Sequence, residues 1–212
     1  MGRYTGPACR LCRREGLKLF LKGTRCHRGD KCPVDQGHPF PGMHGGRSGR
    51  ARKKMSDYGT QLREKQRLRR QYGIQEGQFS RIFEEAFRRP GVTGETMLQL
   101  IELRLDNVAY RLGWAPSRRA ARQLVLHGHV MVNNRSCSIP SRTLKAGDVV
   151  TVHAHHRSRD MVSKAVEAAP VQPPAWMGYD LKNLRGEILS VPTREQIAPV
   201  VNEQAIVELY SR

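Results

Sequence analysis

Four cysteines, Cys9, Cys12, Cys26 and Cys32, fall within the first 32 residues of a 212-residue chain. Two residues separate the first pair, 13 separate Cys12 from Cys26, and five separate Cys26 from Cys32. A Cys-x-x-Cys turn offers two thiolates from one knuckle. A second pair from a longer loop completes the tetrahedron that zinc takes, with Zn–S distances of about 2.3 Å. One four-iron iron–sulfur cluster would satisfy the same ligand count. His27 and His38 are nearby substitutes for a cysteine, and disulfides or free thiols are the remaining alternatives. In a reducing cytosol, clustered cysteines bind metal more often than they pair. Four protein ligands leave no open position for a substrate, so the expected site is structural. The fifth cysteine, Cys137, sits in a strand-like segment and reads as a small core residue.

The second chemistry is cationic. The net charge is +18, and it is unevenly spread. Residues 1–72 hold 19 Lys and Arg against five Asp and Glu, residues 73–160 hold 13 against eight, and residues 161–212 hold five against six. Such concentration favours a polyanionic partner, because each neutralised phosphate releases condensed counterions. Arg3, Arg10, Arg13 and Arg14 surround the first knuckle. Arg47, Arg50, Arg52, Lys53 and Lys54 form a run with no apolar face. Arg63, Lys65, Arg67, Arg69 and Arg70 crowd a helix-like stretch. Further on, Arg118, Arg119 and Arg122 occupy the first turns of another helix, whose N-terminus adds partial positive charge. Arg104 and Arg111, with Asn107 between them, make a polar stripe at helical spacing. Each of these is expected to meet phosphate, against the plainer reading of solvated faces.

Catalytic patterns are not evident: there is no nucleophile elbow, P-loop, dinucleotide fingerprint or His-Glu-x-x-His. Aromatic residues are 6% of the chain, so base stacking is not the expected mode of binding. No secretory h-region and no run of about 18 apolar residues is visible, and a cytoplasmic protein without membrane contact is expected.

These groups need elements to hold them. Residues 1–45 lack regular periodicity and call for a metal staple. Ser56 starts a helix with a patchy stripe of Tyr58, Leu62, Leu68 and Tyr72, and Gly73 stops it. Phe79, Ile82, Phe83, Ala86 and Phe87 recur at helical spacing over 76–89 and read as core. Leu98, Ile101, Leu105, Val108 and Leu112 form one apolar face of a single helix closed by Gly113. Ser117 caps the next helix and Gly128 ends it. Short strands follow at 129–132, 136–139 and 149–153, with a tight hairpin at Asn133-Asn134, since Asn tolerates positive φ. Residues 157–172 read as helix, and the tail as loops, short strands and a final turn. The expected fold class is α+β: a mostly helical domain, an N-terminal metal-stapled segment, and an inserted module of two helices plus a small twisted sheet. The divisions are 1–45, 46–96, 97–160 and 161–212, the last packing back on the helical domain.

Several strings resemble a known family. Arg3-Tyr-Thr-Gly-Pro and Cys9-Arg-Leu-Cys12-Arg-Arg-Glu-Gly open the chain. Pro41-Gly-Met-His-Gly45, Ser56-Asp-Tyr-Gly59 and Leu62-Arg-Glu-Lys-Gln-Arg-Leu-Arg-Arg-Gln-Tyr-Gly73 follow. Then come Arg104-Leu-Asp-Asn-Val108, Ser117-Arg-Arg, Ala121-Arg-Gln-Leu124, His127-Gly-His-Val130, Val132-Asn133, Val201-Asn-Glu-Gln and Glu208-Leu-Tyr-Ser-Arg212. In order and along essentially the whole chain, they are similar to the bacterial small (30S) subunit ribosomal protein four ("S-four") family. The resemblance implies a structural constituent of the small subunit and no enzyme. It implies that residues near 97–160 are the small RNA-binding module named after the family. Arg104, Asn107, Arg118, Arg119, Arg122 and His129 would stand where that module meets 16S rRNA. It further implies early binding that nucleates subunit assembly, and a place bordering the site where mRNA enters, beside ribosomal proteins five and three. Contact with protein five would influence translational accuracy, and the chain would act as a monomer within the subunit. The run from Arg47 to Lys54 would face rRNA or incoming mRNA. Asn134 stands where the family's hairpin commonly has Gly. Many members lack the cysteines, and the spacing before Cys32 varies among those that keep them.

Two other classes differ in what they need. An RNA-modifying enzyme carrying the same small module needs a catalytic domain for which too little chain remains. A zinc-dependent DNA-binding regulator needs a recognition helix directly after the knuckles, where this chain has Gly/Pro-rich sequence and a basic run.

Overall fold

The computed structural model describes residues 4–42, 55–168, 172–197 and 201–211. In chain order the elements are α1 (Ala8–Glu15), α2 (Thr24–His27), a 3-10 turn (Gly29–Lys31), α3 (Asp57–Tyr72), α4 (Glu76–Arg88), α5 (Thr93–Glu102), α6 (Leu105–Arg111), α7 (Arg118–Leu126), β1 (Val130–Val132), β2 (Arg135–Ser136), β3 (Val149–Val152), α8 (His156–Ala168), β4 (Met177–Asp180), β5 (Arg185–Ile188), α9 (Arg194–Ile197) and α10 (Glu203–Tyr210). The chain forms two units. One is Met1–Phe87 with Val200–Arg212, and the other is Arg88–Pro199.

In the first unit, α3 begins as its sequence dictates. Ser56 Oγ accepts the Gly59 N–H at 3.2 Å, and Gly73 closes the helix at φ 68°. Its buried face is Gln61, Lys65, Leu68 and Tyr72, spaced four, three and four apart. Tyr58, expected on the apolar stripe, is 54% exposed. The face is partly polar because α10 packs on it: Gln61 Nε2 donates to Glu208 Oε2 at 2.9 Å. Phe79, Phe83 and Ala86 of α4 are buried as expected, and Tyr210 of α10 stacks on Phe83 with ring centroids 4.5 Å apart. Phe87 departs from that expectation: it is 68% exposed, stacked on Phe83 rather than enclosed. Residues 4–42 hold more regular structure than their composition suggests. Two turns of α1 fold Ala8 and Cys12 onto Leu19 and Leu21, a core of four small or medium side chains.

In the second unit, the single long helix expected over Leu98–Leu112 is broken. Leu103 ends α5, and Arg104 is extended at φ −69°, ψ 138°. The extended step bridges Arg104 to Thr143, and the Leu105 N–H reaches the Arg142 carbonyl at 2.9 Å. These non-local bonds replace the helical ones lost at the break. The apolar positions are still buried, with Leu98, Ile101, Leu105 and Val108 at 0% exposure and Leu112 at 1%, and Leu105, Val108 and Leu112 share one core with the sheet. Each is worth about 1.5–3 kcal/mol relative to an exposed side chain.

The sheet is antiparallel throughout, in the order β2-β1-β3-β5-β4. Val132 pairs with Arg135, which leaves Asn133 (φ 50°) and Asn134 (φ 63°) as the two-residue turn. Val130, Val132, Val150 and Val152 alternate inward onto Trp114 and Trp176. Cys137 is buried in the same core, as its strand-like context suggests. The sequence divisions shift here. β5 extends the sheet beyond β3, so 177–188 joins the core of the second unit. Among the described residues, α10 is the helix of 161–212 that packs with α3. Short strands with little periodicity of their own are placed by their partners, and 160/161 falls inside α8.

Candidate nucleic-acid interface

The α5–α6 break and α7 gather Arg104, Arg111, Arg118 and Arg122 around two buried carboxylates and the Asn107 amide. Glu102, the last residue of α5, is wholly buried. Its carboxylate takes two bonds from Arg111, at 2.6 and 3.1 Å, and one from Asn107 Nδ2 at 2.5 Å. Asn107 Oδ1 accepts Arg118 Nε at 2.9 Å, and the Arg118 guanidinium lies 4.6 Å from the Tyr110 ring centre. That cation–π contact is worth about 0.5–1 kcal/mol at a partly exposed site. Asp106, in the first turn of α6, takes both prongs of Arg104, at 3.1 and 2.8 Å, and Arg122 Nη1 at 3.1 Å.

Arg111, Arg118 and Arg122 are therefore half-buried cations held on these bonds, and Arg119, next to Arg118 on α7, is half-buried too. Arg104 and Asn107 differ from expectation. At 4% and 3% exposure they belong to the interior, and they act on the surface through the groups they hold. A bidentate buried pair is costly to break, about 3–5 kcal/mol when one partner is removed, because the other charge stays buried alone. Sequence reading missed Glu102, Asp106 and Tyr110. The available signal was two acids four residues apart inside an otherwise apolar and basic stretch.

His129 is half-buried, with Nδ1 2.9 Å from Ser158 Oγ. Burial, and then the charges of His127, Arg157, His153 and His155, push its pKa below the ordinary imidazole value. An open groove of about 630 Å³ lies beside it. Trp114, Leu124 and Met161 floor the groove, and His127, His129 and Arg157 rim it.

In the first unit, Glu15 of α1 plays the part of Glu102. Its side chain is wholly enclosed. Arg63 and Arg70 of α3 bond its Oε1, and Arg67 Nε stands 3.8 Å from Oε2. Lys65 is buried rather than solvated, with Nζ 2.5 Å from Glu76 Oε1, and Arg69 bonds Gln66. Burial alone would raise the Glu76 pKa. Bonds from Lys65 and Tyr210, with the charges of Lys65 and Arg69, outweigh it and hold the carboxyl low. Arg10 and Arg14 are exposed, and Arg13 donates to the Pro39 carbonyl at 3.0 Å. Arg3, Arg47, Arg50, Arg52, Lys53 and Lys54 lie outside the described residues.

Cys9, Cys12, Cys26 and Cys32 line one cavity of about 20 Å³, room for a single water-sized occupant. Cys12, Cys26 and Cys32 are buried and Cys9 is half-buried. The Lys22 N–H points at Cys26 Sγ, 3.3 Å away. Burial raises the Cys12 thiol pKa, with further increments from Cys26, Cys9 and Cys32. Among the described residues, no three His, Cys, Asp or Glu side chains are drawn together as a ligand set. The four thiols converge on one space without closing on it. Among the described residues, no helix is long and apolar enough to cross a membrane.

Residues 3–102 match the family described as Ribosomal protein S4/S9 N-terminal domain, and residues 103–150 match the S4 domain. The chain is 54% identical over 213 residues to the small ribosomal subunit protein uS4 of Acidithiobacillus ferrooxidans, with the whole of both chains covered. It is 53% identical to the protein of that name from Pelotomaculum thermopropionicum, and 51% identical to the uS4A protein of Symbiobacterium thermophilum, again over both full lengths.

Proposed function

The chain belongs to the ribosomal protein S4 family, whose members are structural proteins of the small ribosomal subunit and not enzymes, and we propose that it binds 16S rRNA through the arginine face of α6 and α7. The observation that carries this reading is the convergence of Arg111 and Arg122 on two buried carboxylates, with Arg118 on the Asn107 amide that Glu102 holds, which keeps a cationic surface in fixed geometry. A-form RNA is met through phosphates and 2′-hydroxyls more than base edges, and a set of held guanidinium forks suits that target. Arg119 stands beside Arg118 on α7 and adds charge to the same face. In the other unit, Arg63, Arg67 and Arg70 form a second basic surface on α3. With net charge concentrated in the first 72 residues, this reading extends to early binding that nucleates subunit assembly. It includes a place for the run Arg47–Lys54 bordering incoming mRNA. Contact with ribosomal proteins five and three, and through protein five an influence on accuracy, belongs to the same proposal.

One zinc ion on Cys9, Cys12, Cys26 and Cys32 completes the reading. Four sulfur donors and space for a single occupant suit one zinc better than a four-iron cluster. When bound, zinc would supply folding energy, while the chain's own residues supply the enclosure and the Lys22 N–H toward Cys26.

The test is rRNA binding by Arg118→Ala with Arg122→Ala, measured across salt concentration. The expected outcome is weaker binding and a log–log salt slope shallower by about one to two, one for each phosphate that is no longer neutralised. An unchanged slope rejects phosphate binding by these two arginines.

A further inference from the structure

Glu102 and Asp106 are acids at the centre of a face that has to attract a polyanion. Simple electrostatics counts them as a defect, since each opposes the approach of phosphate. Stability does not explain them well either, because buried ion pairs are often matched or exceeded by apolar residues of similar volume. What their geometry supplies is orientation. Glu102 grips Arg111 by Nε and Nη2, and through Asn107 it fixes Nε of Arg118. Asp106 grips Arg104 by the same two nitrogens and Arg122 by Nη1. Arg111 and Arg118 are thus bound inward along one side of a planar fork. An arginine held this way loses little further rotamer freedom when it meets an anion.

We infer that Glu102 and Asp106 are positioning residues for RNA recognition: they set Arg111, Arg118 and Arg122 in one register, so that folded rRNA presenting phosphates in that register is preferred over unstructured RNA. The inference deepens the rRNA-binding reading of α6 and α7 and rests on it. Tyr110 is a lesser part of the same device, since its ring supports Arg118.

The experiment uses the full chain. Two probes are titrated in parallel: transcribed small-subunit rRNA, and a random-sequence RNA of equal length. Asp106→Asn and Glu102→Gln each remove one negative charge from a chain of net charge +18. If the acids act through charge alone, both RNAs bind more tightly. Positioning gives the opposite sign for one probe: rRNA affinity falls about tenfold while random RNA holds or tightens. Circular dichroism reports whether each variant folds. Tyr110→Leu changes no charge and keeps apolar packing, so it serves if a carboxylate variant does not fold. It is expected to lower rRNA affinity about threefold and leave random RNA unchanged. Folded variants that bind rRNA as well as the parent, or better, overturn the proposal. If Arg118→Ala with Arg122→Ala also leaves rRNA binding untouched, the face itself is misplaced and both readings fall. If that pair weakens binding and the positioning variants do not, the positioning role alone falls.

Discussion

A carboxylate taken out of water has to find cations or lose its charge. Glu15, Glu102 and Asp106 each find cationic or amide donors, and the arginines they hold come from positions up to 55 residues away. That distance explains what was legible at this scale. The arginines advertise themselves by type and spacing. Their partners cannot be read, because nothing local says which acid will be enclosed. Arg104 and Asn107 show the same limit, since their helical spacing suggested an exposed stripe and the break after Leu103 turned them inward. His129 carries a prediction at residue scale. Its folded pKa lies below the ordinary value of 6.5, so in that window the unfolded chain binds a proton that the folded chain does not. Stability from this site is present above about pH 6.5 and is lost as pH falls through the folded pKa. The urea midpoint of the unit that holds His129 is expected to fall between about pH 7.5 and pH 5. His129→Gln is expected to reduce that fall, and an identical pH profile in the variant would count against His129 as its source.

At the scale of elements, helices were legible wherever local rules suffice. The Ser56 cap, the Gly73 stop and the Asn133-Asn134 turn need only neighbours. The α5–α6 break and the recruitment of β4 and β5 were not legible, because each depends on a distant segment supplying backbone bonds. Gly186 of β5 marks how tightly that recruitment is packed. A Cβ there would stand 2.6 and 2.7 Å from the Leu112 methyls and 3.2 Å from its Cγ. Leu112 is 1% exposed and has little room to withdraw. Gly186→Ala is therefore expected to destabilise the fold by about 1–3 kcal/mol from overpacking. That outweighs the gain of roughly 0.5–1 kcal/mol that alanine brings to a strand interior. Denaturant titration checks it. Combining Gly186→Ala with Leu112→Ala is expected to cost less than the two single effects together, because the second change removes the obstructing methyls. Strict additivity would mean that the clash is relieved elsewhere.

For the whole molecule, the uneven charge and the cysteine knuckle lead to one consequence. The first 72 residues carry the densest positive charge, and their small core of Ala8, Cys12, Leu19 and Leu21 is too slight to hold α1 alone. α1 carries two of the four cysteines, Cys9 and Cys12, and it also carries Glu15, which binds Arg63 and Arg70 of α3. A metal held by the four thiols, as proposed, would be folding energy for α1, and α1 would in turn order the arginines of α3. On that proposal, treatment with a chelator, or Cys9→Ser with Cys12→Ser, is expected to abolish amide protection over residues 8–34. The second unit has its own core of Trp114, Trp176 and the strand valines, and its protection is expected to persist. The rRNA salt slope should become shallower by about one to three, as Arg63, Arg67 and Arg70 lose their common anchor. Full protection of α1 after metal removal would reject the staple. Loss of α1 protection with an unchanged salt slope would keep the staple and reject its link to RNA through Glu15.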